Sequence, residues 1–230
     1  MRTTSARFSP PDAAWFDRWM TTVGSKLLMG GTGSILVAFL ILHLAGNLLV
    51  YRGQAALGAY SALLFREPLL LWMARGILLV SVGVHIVVAA RLSWRAWAAR
   101  PIQYHRRAPQ TSTLASRTMR WTGLGISGFV VFHILHLTTG TIRPAPFRKE
   151  DVYRNVVGGL AVGWVSAVYL AAMALIGLHI WHGTWAAFRS LGFSPPSSRP
   201  TRRPLAWILA LLIWAGFTSI PIAVLSGLVR

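Results

Sequence analysis

The stretch LLMGGTGSILVAFLILHLAGNLLVY, residues 27–51, decides the class of this protein. Its 25 residues include no acidic or basic side chain other than His43. A helix needs roughly 20 apolar residues to cross the hydrocarbon core of a bilayer. No small-residue cleavage pattern follows the run, so it predicts a first transmembrane helix and not a removable signal peptide.

Four further apolar runs resemble the first one. Apolar residues make up 54% of the chain and charged residues only 12%, about half the charged share of an ordinary soluble domain. We predict an all-α membrane protein with a short N-terminal segment, 1–26, and a membrane domain over 27–230. Residues 12–20 could form a short amphipathic helix on the membrane surface. The predicted spans are about 27–51, 69–91, 120–142, 160–187 and 205–228.

The basic residues predict the orientation of these spans. The chain has 23 basic and 5 acidic residues. Fifteen of the basic ones fall in segments 1–26, 91–120 and 189–203, which share one side of the membrane, and eight fall on the other side. The positive-inside rule therefore predicts a multi-pass protein of the cytoplasmic membrane with a cytoplasmic N-terminus and an outer C-terminus. Basic residues in such loops favour contact with anionic lipid over nucleic acid.

Several kinds of chemistry are disfavoured by composition. The chain has no cysteine, which excludes disulfides and cysteine-ligated iron–sulfur clusters within it. All five acidic residues lie outside the predicted spans. A zinc or di-iron site would normally use thiolate or carboxylate ligands, so neither is expected, and we predict no catalytic residue in this chain.

Six of the seven histidines fall inside the predicted spans, and only His105 lies in a loop. Ionisable side chains inside a membrane are rare and usually functional. One such histidine alone would more often be a neutral ring bonded to a neighbouring helix, but six on four helices require a common explanation. The six are His43, His85, His133, His136, His179 and His182.

The depth of these histidines in the membrane separates them into two levels. His43 and His133 lie in the outer halves of their spans, whereas His85 and His179 lie in the inner halves. At 1.5 Å per residue, the two levels differ by roughly 10–15 Å. We therefore predict two stacked b-type haems, each held by one histidine pair. Ligation by two imidazoles leaves iron without an open position, which favours electron transfer over oxygen binding.

An internal repeat supports this pairing. Two patterns each occur twice, in the same order: Thr-Gly eleven residues before a histidine, at 32–43 and 122–133, and Gly-hydrophobic-His-Ile, at 83–86 and 177–180. Eleven residues are close to three helical turns, so each threonine should share a helix face with the histidine that follows it. The repeat predicts that the first four spans form a four-helix bundle with a pseudo-two-fold axis along the membrane normal.

In such a bundle His43 would face His133 and His85 would face His179. His136 and His182 each lie three residues beyond a predicted ligand. Either could replace that ligand or bond a haem propionate, so their roles stay open. Arg117, near the start of the third span, could also pair with a propionate, although contact with a lipid headgroup is the simpler interpretation.

Four stretches carry a family resemblance: HLAGN at 43–47, LASRTM at 114–119, DVYR at 151–154 and GLHIWHGTW at 177–185. They resemble the cytochrome b membrane-anchor subunit of succinate dehydrogenases and fumarate reductases, of the single-chain, five-helix, di-haem type. The resemblance extends over about residues 26–204.

This resemblance implies partners and an electron path. A flavoprotein subunit would oxidise succinate, and an iron–sulfur subunit would pass the electrons to the anchor. The anchor would deliver them through its two haems to a membrane quinone, which we expect to be menaquinone. No succinate site is expected in this chain, the direction of catalysis stays open, and the complex could form a higher oligomer.

The resemblance also implies roles for individual residues. His85 and His179 would hold the haem nearer the cytoplasmic partners, and His43 and His133 the distal one. Some fumarate reductases of this type carry a glutamate two residues before the histidine at position 179, where it is proposed to move protons across the membrane. Because this chain has Gly177 there, that proton route is not expected.

Two alternative functions remain open from the sequence. The chain could be a di-haem anchor of another quinone-linked enzyme, a hydrogenase or formate dehydrogenase, whose partner usually lies on the outer side. It could instead be a haem-free transporter that uses its intramembrane histidines as a proton relay.

Overall fold

The computed structural model describes residues 21–99, 114–193 and 199–230, with the side chains of 199–203 left out. The proposed surface helix at 12–20 and His105 lie outside the described residues. Within those ranges all regular secondary structure is helical and there is no strand, which confirms the all-α prediction.

The described residues form seven α-helices. Their bounds are α1 Thr22–Asn47, α2 Gln54–Arg66, α3 Pro68–Ala98, α4 Leu114–His133, α5 Val152–Ala161, α6 Gly163–Ser190 and α7 Arg199–Leu225. A 3₁₀ helix, Leu48–Arg52, prolongs α1, and a π-helical turn, Ile134–Thr138, prolongs α4. Five helices, α1, α3, α4, α6 and α7, are long and apolar enough to cross a membrane. They confirm the five predicted spans, and the chain is a multi-pass membrane protein.

The ends of two spans differ from the sequence-based bounds. Helix α3 continues through Arg91 and Arg95 to Ala98, because a helix need not end where the apolar run ends and long basic side chains can reach the headgroups. Helix α4 begins already at Leu114. Its π-helical turn ends at Thr138, and the backbone then reaches a positive φ of 65° at Gly140.

Two short helices at one end of the bundle were not predicted. Helix α2 follows α1 and helix α5 precedes α6, and the two pack against each other. Asp151 caps α5, where its Oδ1 accepts a hydrogen bond of 3.1 Å from the backbone N–H of Arg154. Its Oδ2 accepts a second bond, of 3.1 Å, from Gln54 at the start of α2. These bonds join the two short helices at the end of the bundle that the charge pattern predicts to lie outside the cell.

Four of the five long helices pack as two hairpins, which meet through the contact between α1 and α6. The closely packed pairs among the five long helices include α1 with α3, α4 with α6, α1 with α6, and α6 with α7. The diagonal pairs α1 with α4 and α3 with α6 are not among the close contacts of the described residues. The contacts of α1 with α3 and of α4 with α6 are those of two hairpins, as the sequence repeat predicts.

Helix α7 packs against this bundle through small residues. A Cβ atom added at Gly177 of α6 would lie 3.3 Å from the Cβ atom of Trp214 in α7. A Cβ atom added at Gly216 of α7 would lie 2.7 Å from a methyl carbon of Leu44 in α1. These contacts bring the fifth span close to both α1 and α6, and the indole of Trp214 lies against Gly177.

We expect Gly53→Ala to destabilise the corner between α1 and α2 by about 1–3 kcal/mol, because its backbone conformation is essentially restricted to glycine. Gly53 has φ 86° and ψ 179°, and open space surrounds the position of an added Cβ atom. Any cost must then come from the backbone. The melting temperature of the purified chain in detergent measures the effect.

Gly58→Ala is the matched control for this change. Gly58 lies in α2, also has open space around an added Cβ atom, and has no positive φ. Alanine favours a helix over glycine by up to about 1 kcal/mol, so Gly58→Ala should leave the melting temperature unchanged or raise it. Equal melting temperatures for the two variants would contradict the assignment of strain to Gly53.

Candidate functional site: two histidine pairs

The outer histidine pair joins α1 to α4. The ring centres of His43 and His133 lie 5.9 Å apart, and their planes are perpendicular, at 90°. Two phenylalanines hold the His43 ring: Phe39, one turn earlier, stacks on it at 5.1 Å, and Phe217 of α7 lies 5.7 Å away. The fifth span thus helps to form this level of the site.

The inner histidine pair joins α3 to α6. The ring centres of His85 and His179 lie 6.4 Å apart, with an interplanar angle of 59°. His85 contacts Thr32 of α1, which lies eleven residues before His43 of the outer pair. At 1.5 Å per residue, eleven residues correspond to about 16 Å along the helix.

The Thr-Gly repeat supports the inner pair from the neighbouring helices. The Oγ1 atom of Thr32 lies 3.1 Å from Nδ1 of His85, and Oγ1 of Thr122 lies 3.2 Å from Nδ1 of His179. The sequence placed each threonine on the face of the histidine that follows it in its own helix. The hydrogen bond to the histidine of the adjacent helix was not predicted, because spacing within one helix does not define contacts between helices.

Both glycines of this repeat lie against the same two rings. A Cβ atom added at Gly33 would lie 3.3 Å from Cε1 of His85, and one added at Gly123 would lie 3.4 Å from Cε1 of His179. The glycines therefore let each imidazole approach the backbone of the adjacent helix.

Tyr169 of α6 was missed by the sequence analysis. It is 7% exposed, and its hydroxyl oxygen lies 3.2 Å from Nδ1 of His133 and 3.0 Å from Nδ1 of His136. Phe129 packs edge-on against its ring at 5.0 Å. A tyrosine hydroxyl inside an apolar span needs a polar partner. This requirement could have identified Tyr169 in the sequence as a neighbour of the histidines.

His136 occupies a different environment from His133. It lies in the π-helical turn, a feature that is frequent at functional sites, and is only 3% exposed. A Cβ atom added at Gly159 would lie 2.5 Å from Nε2 of His136. This nitrogen therefore lies directly against the backbone of α5.

The remaining predicted site residues lie at the ends of helices. His182 is half-buried on α6, one turn beyond His179, and Arg117 is exposed in the first turn of α4. The part of the chain that the structure describes contains no group of three or more His, Cys, Asp or Glu side chains able to hold a metal ion. The intramembrane histidines therefore meet in pairs and not in larger clusters.

One family matches this chain over residues 96–218, which is just over half of its length. The family is described as succinate dehydrogenase/fumarate reductase transmembrane subunit. The chain belongs to this family. It shows no significant similarity to a curated protein or to a solved structure.

This membrane subunit therefore belongs to an oxidoreductase complex. The match includes α4, α6 and most of α7, and thus two of the four paired histidines, His133 and His179. His43 and His85 both precede residue 96, so their pairing with His133 and His179 rests on the geometry described above.

We expect Gly159→Ala to destabilise the subunit by about 1–3 kcal/mol, the usual cost of overpacking a well-packed site. The new methyl group would lie 2.5 Å from Nε2 and 2.7 Å from Cε1 of His136, so this buried ring would have to move. The melting temperature in detergent is again the measurement.

The adjacent glycine provides the control. A Cβ atom added at Gly158 would meet only the Cβ atom of Ala145, at 3.7 Å, which is an ordinary contact. Gly158→Ala should therefore match or exceed the melting temperature of the unchanged chain. If Gly159→Ala is equally well tolerated, His136 is not wedged against α5.

Proposed function

We propose that this subunit is a di-haem cytochrome b that anchors its complex and carries electrons to a membrane quinone. The observation that carries the proposal is the meeting of four intramembrane imidazoles in two pairs, His43 with His133 and His85 with His179, at two depths. Family membership supports the complex and its redox chemistry, and the histidine pairs support the cofactor.

The separation of the rings fits axial ligation of a haem iron. A metal–nitrogen bond of about 2 Å on each side, and about 1 Å from that nitrogen to the ring centre, places two opposed imidazole centres about 6 Å apart. The observed values are 5.9 and 6.4 Å. Two imidazoles joined by a direct hydrogen bond would have their nitrogens much closer together than two imidazoles that bind the same iron from opposite sides.

The number of ligands also favours haem over a bare metal ion. A haem supplies four in-plane nitrogens of its own and needs only axial ligands from the protein. Zinc sites usually require three or four protein ligands, and no such cluster is present among residues 21–99, 114–193 and 199–230. Two protein ligands at each level are enough for a haem but too few for a zinc ion.

The contacts of the two neighbouring histidines favour His133 as the ligand over His136. His133 faces His43 across the bundle. Nε2 of His136 instead faces the backbone at Gly159, and its Nδ1 faces the hydroxyl of Tyr169. We propose that His136 holds Tyr169 in place, and Tyr169 in turn orients His133.

The bundle would supply the apolar surroundings of the cofactor. When bound, each haem would supply a one-electron redox centre. The helices would hold the ligands at fixed depths, and Phe39 and Phe217 pack against the ring of His43.

The orientation of the subunit defines its partners. With a cytoplasmic N-terminus, the inner pair lies toward the cytoplasm, where an iron–sulfur subunit and a flavoprotein subunit would dock. The electrons would leave toward menaquinone in the bilayer. Arg117 lies at the same end as the inner pair and could bond a propionate. Because residue 177 is a glycine, no carboxylate is available there for a transmembrane proton route.

Single alanine substitutions test the ligand assignment. We expect His43→Ala and His85→Ala each to remove one of two haems and to leave the other in place, because each histidine belongs to a different pair. Haem is quantified as the pyridine haemochrome, per chain, in the full chain purified from membranes.

His136→Ala is the control for loss of an intramembrane histidine. It should retain both haems, whereas His133→Ala should lose one. Retention of both haems in His43→Ala and His85→Ala would refute the pairing. A complete absence of haem from the unchanged protein would refute the proposed function and favour a histidine proton relay.

A further inference from the structure

We propose that Thr32 and Thr122 are positioning residues that fix the protonation of the inner histidine pair and lower the reduction potential of the centre this pair holds. Each hydroxyl accepts the Nδ1–H of one histidine, so that the Nε2 atom of that ring keeps its lone pair for a metal. The inference rests on the proposed function, because it assumes that His85 and His179 are haem ligands.

The direction of these hydrogen bonds follows from the number of protons on a hydroxyl. Thr32 has one hydroxyl proton, and its Oγ1 lies 2.7 Å from the carbonyl oxygen of Leu28, four residues earlier in α1. A carbonyl oxygen can only accept a hydrogen bond. The threonine therefore donates its only hydroxyl proton within its own helix. In the contact of 3.1 Å between Oγ1 and Nδ1 of His85, the ring must be the donor.

The same arrangement is repeated at the second threonine. Oγ1 of Thr122 donates to the carbonyl oxygen of Met119 at 3.0 Å and lies 3.2 Å from Nδ1 of His179. Thr122 is 2% exposed, so water does not compete for the bond. Two helices thus provide the same device to two rings that face each other.

This device selects one form of each imidazole. A neutral imidazole carries a proton on one nitrogen and a lone pair on the other, and the hydrogen bond at one nitrogen decides which is which. With Nδ1 protonated, Nε2 is the only nitrogen that can bind a metal. The adjacent glycines, Gly33 and Gly123, let each ring lie close enough to the threonine helix to keep the bond.

An acceptor at Nδ1–H also changes the electronic character of the ligand. It draws the N–H proton toward the oxygen and makes the opposite nitrogen a stronger donor to the metal. Stronger donation stabilises ferric over ferrous iron, and hydrogen bonding around the ligands is one determinant of reduction potential. Removal of the hydroxyl should therefore raise the potential of the inner centre.

The outer pair uses different partners and provides an internal reference. His133 faces the hydroxyl of Tyr169, and His43 lies between Phe39 and Phe217. Neither threonine of the repeat contacts these two rings in the hydrogen bonds described. A change at Thr32 or Thr122 should therefore act on the inner centre alone.

The test is a potentiometric titration of the α-band in membranes that contain the full chain, with haem quantified in parallel. Thr32→Val and Thr122→Val replace the hydroxyl by a methyl group of similar size. We expect each to shift the midpoint potential of the inner centre upward, or to lower its haem content, while the outer centre keeps its potential. Thr32→Ser and Thr122→Ser retain the hydroxyl and should have the haem content and the inner midpoint potential of the unchanged protein.

Thr118→Val is the matched control in the same helix. Oγ1 of Thr118 bonds backbone carbonyl oxygens about one turn earlier, those of Leu114 at 3.0 Å and Ala115 at 3.4 Å, and not a histidine ring. It should leave both potentials unchanged. The inference is overturned if the valine variants keep full haem and an unshifted inner potential, if the serine variants fail to restore it, or if Thr118→Val causes the same shift. Haem analysis of the unchanged protein separates this inference from the proposed function, because an absence of haem in that protein would refute the proposed function itself.

Discussion

A polar ring inside an apolar helix bundle must find a partner for its N–H group, and this requirement governs the interior of the molecule. Water is absent from the hydrocarbon core, so an unpaired donor there costs several kcal/mol. Hydroxyl groups meet the requirement for three of the four paired histidines. Thr32 contacts His85, Thr122 contacts His179, and Tyr169 contacts His133. These bonds fix the rings at the two depths where they face each other.

The internal repeat explains why the inner level is symmetric and the outer level is not. Thr-Gly occurs in both hairpins and gives His85 and His179 matching surroundings. At the outer level only α4 continues into a π-helical turn, and only there does a second histidine, His136, share the tyrosine hydroxyl. The fifth span adds Phe217 against His43. Duplication thus defines the common framework, and later elements of the chain distinguish the two levels.

Sequence patterns predict the spans and the histidine pairs for separate physical reasons. The length of an apolar run reports the thickness of the bilayer, which is why the five spans were found. The depth of a histidine follows from the number of residues between it and the nearest basic residues, and this spacing alone predicts two levels. The limits of α3 and α4 were less accurate, because hydrogen bonding within a helix continues past the apolar residues into segments rich in arginine.

The sequence patterns did not predict the individual contacts between helices. The Thr32–His85 bond joins residues on different helices, and periodicity within α1 gives no information on what α3 brings near it. The close approach of His136 to Gly159 occurs in the π-helical turn, which apolar periodicity does not predict. The short helices α2 and α5 have mixed composition and resemble loops in a hydropathy profile, although a shared core and the bonds of Asp151 order them.

The electron paramagnetic resonance spectrum of the oxidised full chain tests the central claim most directly, because it reports the axial ligands of each iron. Two imidazoles on every iron make it six-coordinate and low-spin. The account predicts two low-spin ferric signals, one for each histidine pair, without a high-spin component. A high-spin signal of comparable size, or the absence of any haem signal, would contradict the claim that facing histidines clamp iron at two depths.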